Sequence, residues 1–155
     1  MRSLTLFVYG SLLVPAVLRA LLDRVPMLAA AELAEHRRCA LRGQDFPGLV
    51  PASGARTCGA VIAVGVRELA YLDDWESDFF ERSAVTVHMT DGSVLAAQAY
   101  LLAPAHRHLA TTRTWTLHDF ARRHASSCAR RARIWRRDRD RRLRHTTGPS
   151  PRQER

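Results

Sequence analysis

The 155-residue sequence contains only three cysteines, no lysine and no long apolar run. The cysteines lie far apart without C-x-x-C spacing, which argues against a disulfide framework or a zinc site and favours a reducing cytoplasm. No run approaches 18 apolar residues, so we expect no transmembrane helix and no membrane partner. The N-terminal apolar stretch has no small-residue cleavage site after it, so we expect no signal peptide.

The short motifs of several enzyme classes are also missing. There is no P-loop and no G-x-G-x-x-G, so nucleotide binding has no local support. Ser11 lacks the G-x-S-x-G context of a serine hydrolase. The seven histidines show no metal-ligand spacing, and we predict that no metal is bound.

Positive charge is concentrated at the C-terminal end. All 24 basic residues are arginine and the formal net charge is +9. Residues 129–155 hold eleven arginines and three acids, a net +8, whereas residues 1–128 are nearly neutral. We therefore predict a domain at 1–128 and an Arg-rich tail at 129–155, partly helical or disordered, with Ile134, Trp135 and Leu143 as loose anchors. Arginine without lysine, together with abundant alanine, suggests a GC-rich bacterial genome.

Two interpretations of this tail stay open. It is either a solvated segment without a partner, or it neutralises the phosphates of a nucleic acid, with Trp135 stacking on a base. An acidic partner would be attracted by the same charge. For the whole protein we expect a monomer or a homodimer.

Hydrophobic patterning predicts alternating strands and helices. Leu4–Tyr9 is a short, β-prone apolar run that ends at a glycine, as a buried strand does. Pro15 suits a first helical turn, and one apolar helical face follows, formed by Val14, Val17, Leu18, Leu21 and Leu22. Further along we predict a strand at 57–64, a short helix at 67–75 with Leu69 and Leu72 inward, and a hairpin of 84–89 and 94–101 around Asp91-Gly92.

The remaining segments are predicted as follows. His36–Leu41 is expected to be extended, and residues 43–54, with three glycines and two prolines, to form a loop. A helix is predicted over 115–124, with Thr114 as its N-cap. Together these elements predict an α+β fold with a small mixed or antiparallel sheet, either open or closed as a barrel.

The turn Tyr9-Gly10-Ser11-Leu12 is the first candidate site. A glycine directly after a buried strand lets the backbone turn sharply and approach a ligand. The turn opens a helix, so its free N–H groups would suit a carboxylate or an oxyanion. The alternative is that Gly10 only joins the strand to the helix.

The second candidate is an acidic cluster formed by Asp73, Asp74, Glu76 and Asp78. It is either a solvated helix end, or it places one carboxylate in an apolar pocket with Trp75, Phe79 and Phe80. Burial there would raise the pKa of that carboxyl group toward neutrality, as a proton shuttle requires. Glu76 is the preferred residue, because it follows the helix and precedes the aromatic pair. Asp73 could instead cap a turn, and Glu81, the nearest rival carboxylate, is expected to form an ion pair with Arg82.

Four segments, in this order, resemble the gamma-glutamylcyclotransferase-like family. They are LFVYGSLL at 6–13, FPGLVP at 46–51, LDDWESDFFERSAVTV at 72–87 and AYLL at 99–102. The resemblance spans roughly residues 4–120. It implies a small mixed β-barrel with flanking helices. The Arg-rich tail has no counterpart in the family core.

The resemblance also implies a site. Glu76 matches the family's catalytic glutamate, Tyr9, Gly10, Ser11 and Leu12 its substrate-binding turn, and Tyr100 a pocket-lining tyrosine. Two positions depart from the family pattern: Ser77 replaces the usual glycine, and Phe80 replaces a tyrosine.

The implied reaction releases an amine and 5-oxoproline from a small gamma-glutamyl compound, without metal or organic cofactor. The alternative is a binding module on the same fold that has little or no activity.

Overall fold

A computed structural model describes residues 2–146 and shows a five-stranded sheet that closes on itself. The strands are β1 (Ser3–Val8), β2 (Ala29–Ala40), β3 (Pro47–Gly65), β4 (Phe80–Met89) and β5 (Val94–Leu102). Their order around the barrel is β1-β3-β2-β4-β5. All neighbours are antiparallel except β5 and β1, which are parallel where Leu6 and Phe7 face Gln98 and Ala99. The predicted α+β barrel is confirmed.

Helices pack on the outside of the barrel. In the described part of the chain they are α1 (Pro15–Leu22), α2 (Val66–Glu76), α3 (Leu117–Arg123) and α4 (Ala125–Thr146). Short 3-10 turns occur at Ser11–Leu13, Ser77–Phe79 and Pro104–Leu109. Within residues 2–146 no helix combines the length and the apolar composition needed to cross a membrane.

Strand β1 is apolar on both faces because it has a core on each side. Leu6 and Val8 belong to the core between the barrel and the helices, whereas Phe7 and Tyr9 pack with residues of the other strands. The predicted apolar face of α1 is buried in the first of these cores, and so are Leu69 and Leu72 of α2. β1 is therefore held firmly on both sides, and the turn that follows it starts from a fixed position.

The predicted loop at 43–54 is wrong for most of its length. β3 starts at Pro47 and pairs with β2, and the segment predicted to be extended from His36 onward belongs to β2 as far as Ala40. Pro47 is the first residue of its strand, a position where a missing N–H is tolerated. The glycine and proline pattern marks a register shift instead, where Glu35 and Gly54 have positive φ and residues 52–55 bulge out of the ladder.

The hairpin of β4 and β5 is confirmed, with Asp91 and Gly92 between the strands. The helix predicted over 115–124 is α3, but its N-cap is Thr116 rather than Thr114. The Thr116 hydroxyl accepts a hydrogen bond from the Asp119 N–H at 3.2 Å.

Helix α4 crosses the predicted boundary between residues 128 and 129. Its inner side buries Cys128, Ala129 and Ala132 in the main core. Of the three expected anchors, Trp135 packs on Trp75 against the main core, whereas Ile134 and Leu143 are exposed. The small residues also anchor the helix, because alanine lets it approach α1 closely. Residues 129–146 therefore pack on the domain, and the predicted disorder of the last residues falls on 147–155, outside the described residues.

Candidate active site

One mostly apolar cavity of about 290 Å³ brings the two candidate segments together. All six residues predicted for the site line this cavity, namely Tyr9, Gly10, Ser11, Leu12, Glu76 and Tyr100. The aromatic rings of Phe46, Phe79 and Phe80 form part of its wall and contact one another. The cavity thus offers an apolar enclosure with few polar groups.

The turn after β1 forms one side of the cavity. A Cβ atom on Gly10 would lie 2.9 Å from Cγ of Pro47, so the close approach of these two segments requires glycine. The hydrogen bonds that close the turn are donated by Leu13 and Val14, to the carbonyls of Gly10 and Ser11. The N–H groups of Ser11 and Leu12 are not used in closing it, so they suit a carboxylate or an oxyanion.

Glu76, the last residue of α2, lines the same cavity. Removal of its carboxyl group from water raises the pKa of Glu76 to about 8. Desolvation has this effect because the charged form loses more hydration than the neutral form. Near neutral pH both protonation states of Glu76 are accessible, as general acid and base catalysis requires.

A hydrogen-bonded chain fixes the floor of the cavity. The Tyr9 hydroxyl donates to the backbone carbonyl of Tyr100 at 2.5 Å, and the Tyr100 hydroxyl donates to Oδ1 of Asp73 at 2.7 Å. Burial raises the pKa of both tyrosines, so their hydroxyls stay protonated as donors. Tyr100 lines the cavity as predicted, but its hydroxyl is committed to Asp73.

Two expectations for charged residues near the site are wrong. Asp73 does not cap a turn; its carboxylate takes two hydrogen bonds from Arg82, at 2.9 and 3.2 Å. Arg82 therefore pairs with Asp73, and the expected pair with Glu81 does not form among the described residues. The reason is geometric: Arg82 faces Tyr100 across the β4–β5 ladder, and Tyr100 points to Asp73.

Sequence reasoning missed the polar group at the cavity edge. Asp45 and Arg131 both line the cavity, with Arg131 Nη2 3.4 Å from Asp45 Oδ2. His124 Nδ1 lies 3.6 Å from the same oxygen, and the Trp115 indole N–H donates to the Asp45 carbonyl. These residues come from segments about 80 positions apart, and no local pattern connects them.

The other polar wall residues are poor candidates for covalent chemistry. Burial raises the pKa of the Cys128 thiol, which keeps it protonated and weakly nucleophilic. Ser77 adopts φ 56° and ψ −163°, a conformation that suits glycine far better than serine. Within residues 2–146 no three histidine, cysteine, aspartate or glutamate side chains are grouped to hold a metal ion.

The sequence profile of the family described as gamma-glutamyl cyclotransferase, AIG2-like, matches residues 6–119. The chain belongs to this family. AIG2-like protein D of Arabidopsis thaliana is 38% identical over 90 residues, covering 57% of this chain and 59% of that protein. AIG2-like protein A of the same plant is 35% identical over 97 residues, covering 61% and 59% of the two chains. The chain thus spans little more than half the length of these relatives.

Solved structures support the same fold. A solution structure of another Arabidopsis thaliana protein has a TM-score of 0.64 at 28% identity, covering 82% of this chain and 86% of that one. A structure titled gamma-glutamyl cyclotransferase has a TM-score of 0.61 at 18% identity, covering 66% and 68%. The curated relatives are plant proteins, so they give no support to the predicted bacterial source.

Proposed function

We propose that this family member is a gamma-glutamyl cyclotransferase in which Glu76 moves the protons. It would release an amine and 5-oxoproline from a small gamma-glutamyl compound. The observation that carries the proposal is that Glu76 and the Tyr9–Leu12 turn line one mostly apolar cavity, where burial raises the pKa of the Glu76 carboxyl group to about 8.

The reaction begins with the α-ammonium group of the substrate beside Glu76. The carboxylate form takes one proton, and the free amine attacks the γ-carbonyl carbon, forming the C–N bond of a five-membered ring. An ammonium group next to Glu76 favours the carboxylate form, so substrate binding itself generates the base. Positioned proton transfer of this kind contributes roughly 10²–10⁴-fold to the rate.

Collapse of the tetrahedral intermediate needs the same proton again. Protonated Glu76 donates to the leaving nitrogen as the old C–N bond breaks. The carboxylate then accepts the extra proton of the ring nitrogen, which leaves neutral 5-oxoproline lactam, and passes it to the departing amine or to water. One residue whose pKa lies near neutrality is therefore sufficient for all of these proton transfers.

The Tyr9–Leu12 turn provides the complementary electrostatics. Backbone N–H groups of Ser11 and Leu12 would bind the α-carboxylate or the oxyanion that develops on the γ-carbonyl. Because the nucleophile is tethered to the electrophile, holding the chain in a curled conformation contributes comparably to proton transfer. The apolar wall formed by Phe46, Phe79 and Phe80 favours this compact conformation by excluding water.

The test is the conversion of a panel of substrates by the Glu76→Gln variant. The panel contains gamma-glutamyl dipeptides, gamma-glutamyl-lysine and gamma-glutamylated metabolites, and mass spectrometry measures 5-oxoproline. We expect wild-type turnover on at least one member, and a loss of 10²-fold or more in Glu76→Gln, because the amide cannot accept the proton. Glu81→Gln, which removes an exposed carboxylate from β4, is the matched control and should keep full activity.

Full turnover by Glu76→Gln would refute the role of Glu76. A wild-type protein that is stabilised by panel compounds on heating but releases no 5-oxoproline would instead support the binding module. Phe80 is the residue that favours this second candidate, since it packs against Phe46 and Phe79 where the family pattern has a hydroxyl group.

A further inference from the structure

A row of arginines follows one side of α4. Arg130, Arg133, Arg137, Arg141 and Arg144 are spaced by three or four residues and are all exposed. This spacing places them on one helical face, and the 14-residue span extends over about 21 Å. We call these five residues the arginine row.

A groove between α1 and α4 widens this positive surface. It has a volume of about 570 Å³ and contains Arg19 of α1 together with three members of the arginine row and Arg136. Among the described residues, only two carboxylates, Asp23 and Asp140, line the same groove, and Asp140 already interacts with the Tyr71 hydroxyl and with Arg136. Two separate helices thus contribute guanidinium groups to one concave, positively charged surface.

Within the described residues, the domain does not balance the charge of Arg130, Arg133, Arg137 and Arg141. Arginines on the inner side of α4 have carboxylate partners: Arg131 pairs with Asp45, Arg136 with Asp140 and Arg139 with Asp74. In the part of the chain that the structure describes, Arg130, Arg133, Arg137 and Arg141 form no ion pair. Like charges at this spacing repel each other, and the repulsion would be relieved by a polyanion.

We propose that the arginine row and Arg19 bind double-stranded nucleic acid through its phosphate backbone, without selecting a base sequence. A guanidinium group matches the geometry of a phosphate with two parallel hydrogen bonds. Duplex DNA carries one negative charge per ~1.7 Å of axis when both strands are counted, so a length of about 21 Å holds about twelve phosphates, of which one face of the duplex presents a part to the row. The site is separate from the Glu76 cavity, and the proposal does not depend on the proposed activity.

Other polyanions fit this surface less well. Single-stranded nucleic acid is usually bound by stacking bases on aromatic rings, but the Trp135 ring packs on Trp75 at 5.4 Å, so the predicted stacking role is not supported. A membrane-surface helix needs an apolar face toward the lipid, whereas the apolar face of α4, with Ala129 and Ala132, is buried in the core.

The experiment measures duplex binding by the full chain at several salt concentrations. Fluorescence anisotropy with a labelled 20-base-pair DNA of mixed sequence is recorded between 50 and 200 mM salt. If about five phosphates are neutralised, the slope of log K against log salt should be about −4.5, which is a loss of about 500-fold over this range. The double variant Arg137→Gln with Arg141→Gln removes about two of these contacts, so its slope should be less steep, about −2.7.

The matched control removes two exposed arginines from elsewhere, Arg107→Gln with Arg113→Gln, and should keep the wild-type slope. A second variant, Arg137→Lys with Arg141→Lys, keeps the charge and should therefore keep the slope. Its binding should be weaker, because lysine cannot form the bidentate hydrogen bonds that arginine forms with a phosphate. Substitution is preferable to removal of residues 129–155, which would take Ala129 and Ala132 out of the core.

Three outcomes would overturn the proposal. One is that the control variant, Arg107→Gln with Arg113→Gln, loses as much binding as Arg137→Gln with Arg141→Gln. Another is tighter binding to single strands of the same sequence than to the duplex. The third is tighter binding to vesicles of phosphatidylcholine with 30% phosphatidylserine than to the duplex at equal salt. Circular dichroism of each variant verifies that α4 is retained.

Discussion

Replacement of Glu76 by glutamine should make this protein more stable at neutral and alkaline pH. The pKa of Glu76 is raised from 4.5 to about 8 because its carboxyl group is buried. A group that binds its proton more tightly in the folded state favours folding while it is protonated. Its contribution is therefore lost as pH rises from the unfolded pKa of 4.5 through the folded pKa of about 8. Glutamine stays neutral at every pH and does not incur this cost.

The size of the effect follows from the shift. Each pKa unit corresponds to 1.36 kcal/mol, so a carboxylate at pH 9 costs about 5 kcal/mol relative to the protonated form. At pH 7, where most molecules keep the proton in the folded state, the cost is about 3 kcal/mol. Near pH 5 it is less than about 1 kcal/mol, and the two proteins should differ little there.

The assay is urea unfolding of the wild type and Glu76→Gln at pH 5, 7 and 9. Titrations that are common to both proteins cancel in the difference between their free energies of unfolding. We expect this difference to grow by several kcal/mol between pH 5 and pH 9, with the variant the more stable protein. A difference that does not change with pH would show that the Glu76 carboxyl group is hydrated in solution, and the proton-shuttle mechanism would then lose its basis.

Two further predictions concern the same end of α2. On a confirmed substrate, kcat/KM should rise about tenfold per pH unit below pH 8 and level off above it, because the free enzyme needs the Glu76 carboxylate. The value of kcat should level off at a lower pH, because the bound ammonium group favours the carboxylate form of Glu76. A kcat/KM value that stays constant from pH 6 to 8 would contradict this. Ser77→Gly should raise the free energy of unfolding by about 1 kcal/mol, because relief of ~1–3 kcal/mol of backbone strain outweighs the entropy of glycine. Ser77→Ala keeps the strain and should bring no gain in urea unfolding.

The sequence predicts those parts of the fold that depend on local patterns. β1, the apolar face of α1 and the β4–β5 hairpin each have a pattern that is complete within about ten residues. The local pattern predicts β3 only from Thr57 onward, because glycine and proline at 47–54 resemble a loop when the pairing with β2 is unknown. The parallel contact of β1 with β5 joins residues about 90 positions apart and has no local signal.

The candidate site likewise combines residues that local sequence patterns predict with residues that they do not. Glu76 and the Tyr9–Leu12 turn could be proposed from short segments, because an acid beside aromatic residues and a glycine after a buried strand are visible locally. Asp45 and Arg131 could not, since they reach the cavity only when α4 packs across the barrel. The alanines that allow this packing lie inside an arginine-rich segment whose composition suggests a solvated tail.

The acidic end of α2 explains how one carboxylate can be kept away from water. Four of the five side chains before Glu76 make contacts with other elements that include Tyr100, Arg82 and three residues of α4. Tyr71 donates to Asp140, Asp73 accepts from Tyr100 and Arg82, Asp74 pairs with Arg139, and Trp75 packs on Trp135.

These contacts fix the helix in rotation as well as in position, because residues on different sides of α2 are held at once. Positive charge from Arg82 and Arg139 compensates the neighbouring aspartates but not Glu76, whose pKa is raised by burial alone. The free energy that holds Glu76 in the cavity therefore comes from its neighbours. Weakening them should allow α2 to move the carboxyl group into water and return its pKa toward 4.5, with loss of the base that the proposed reaction needs.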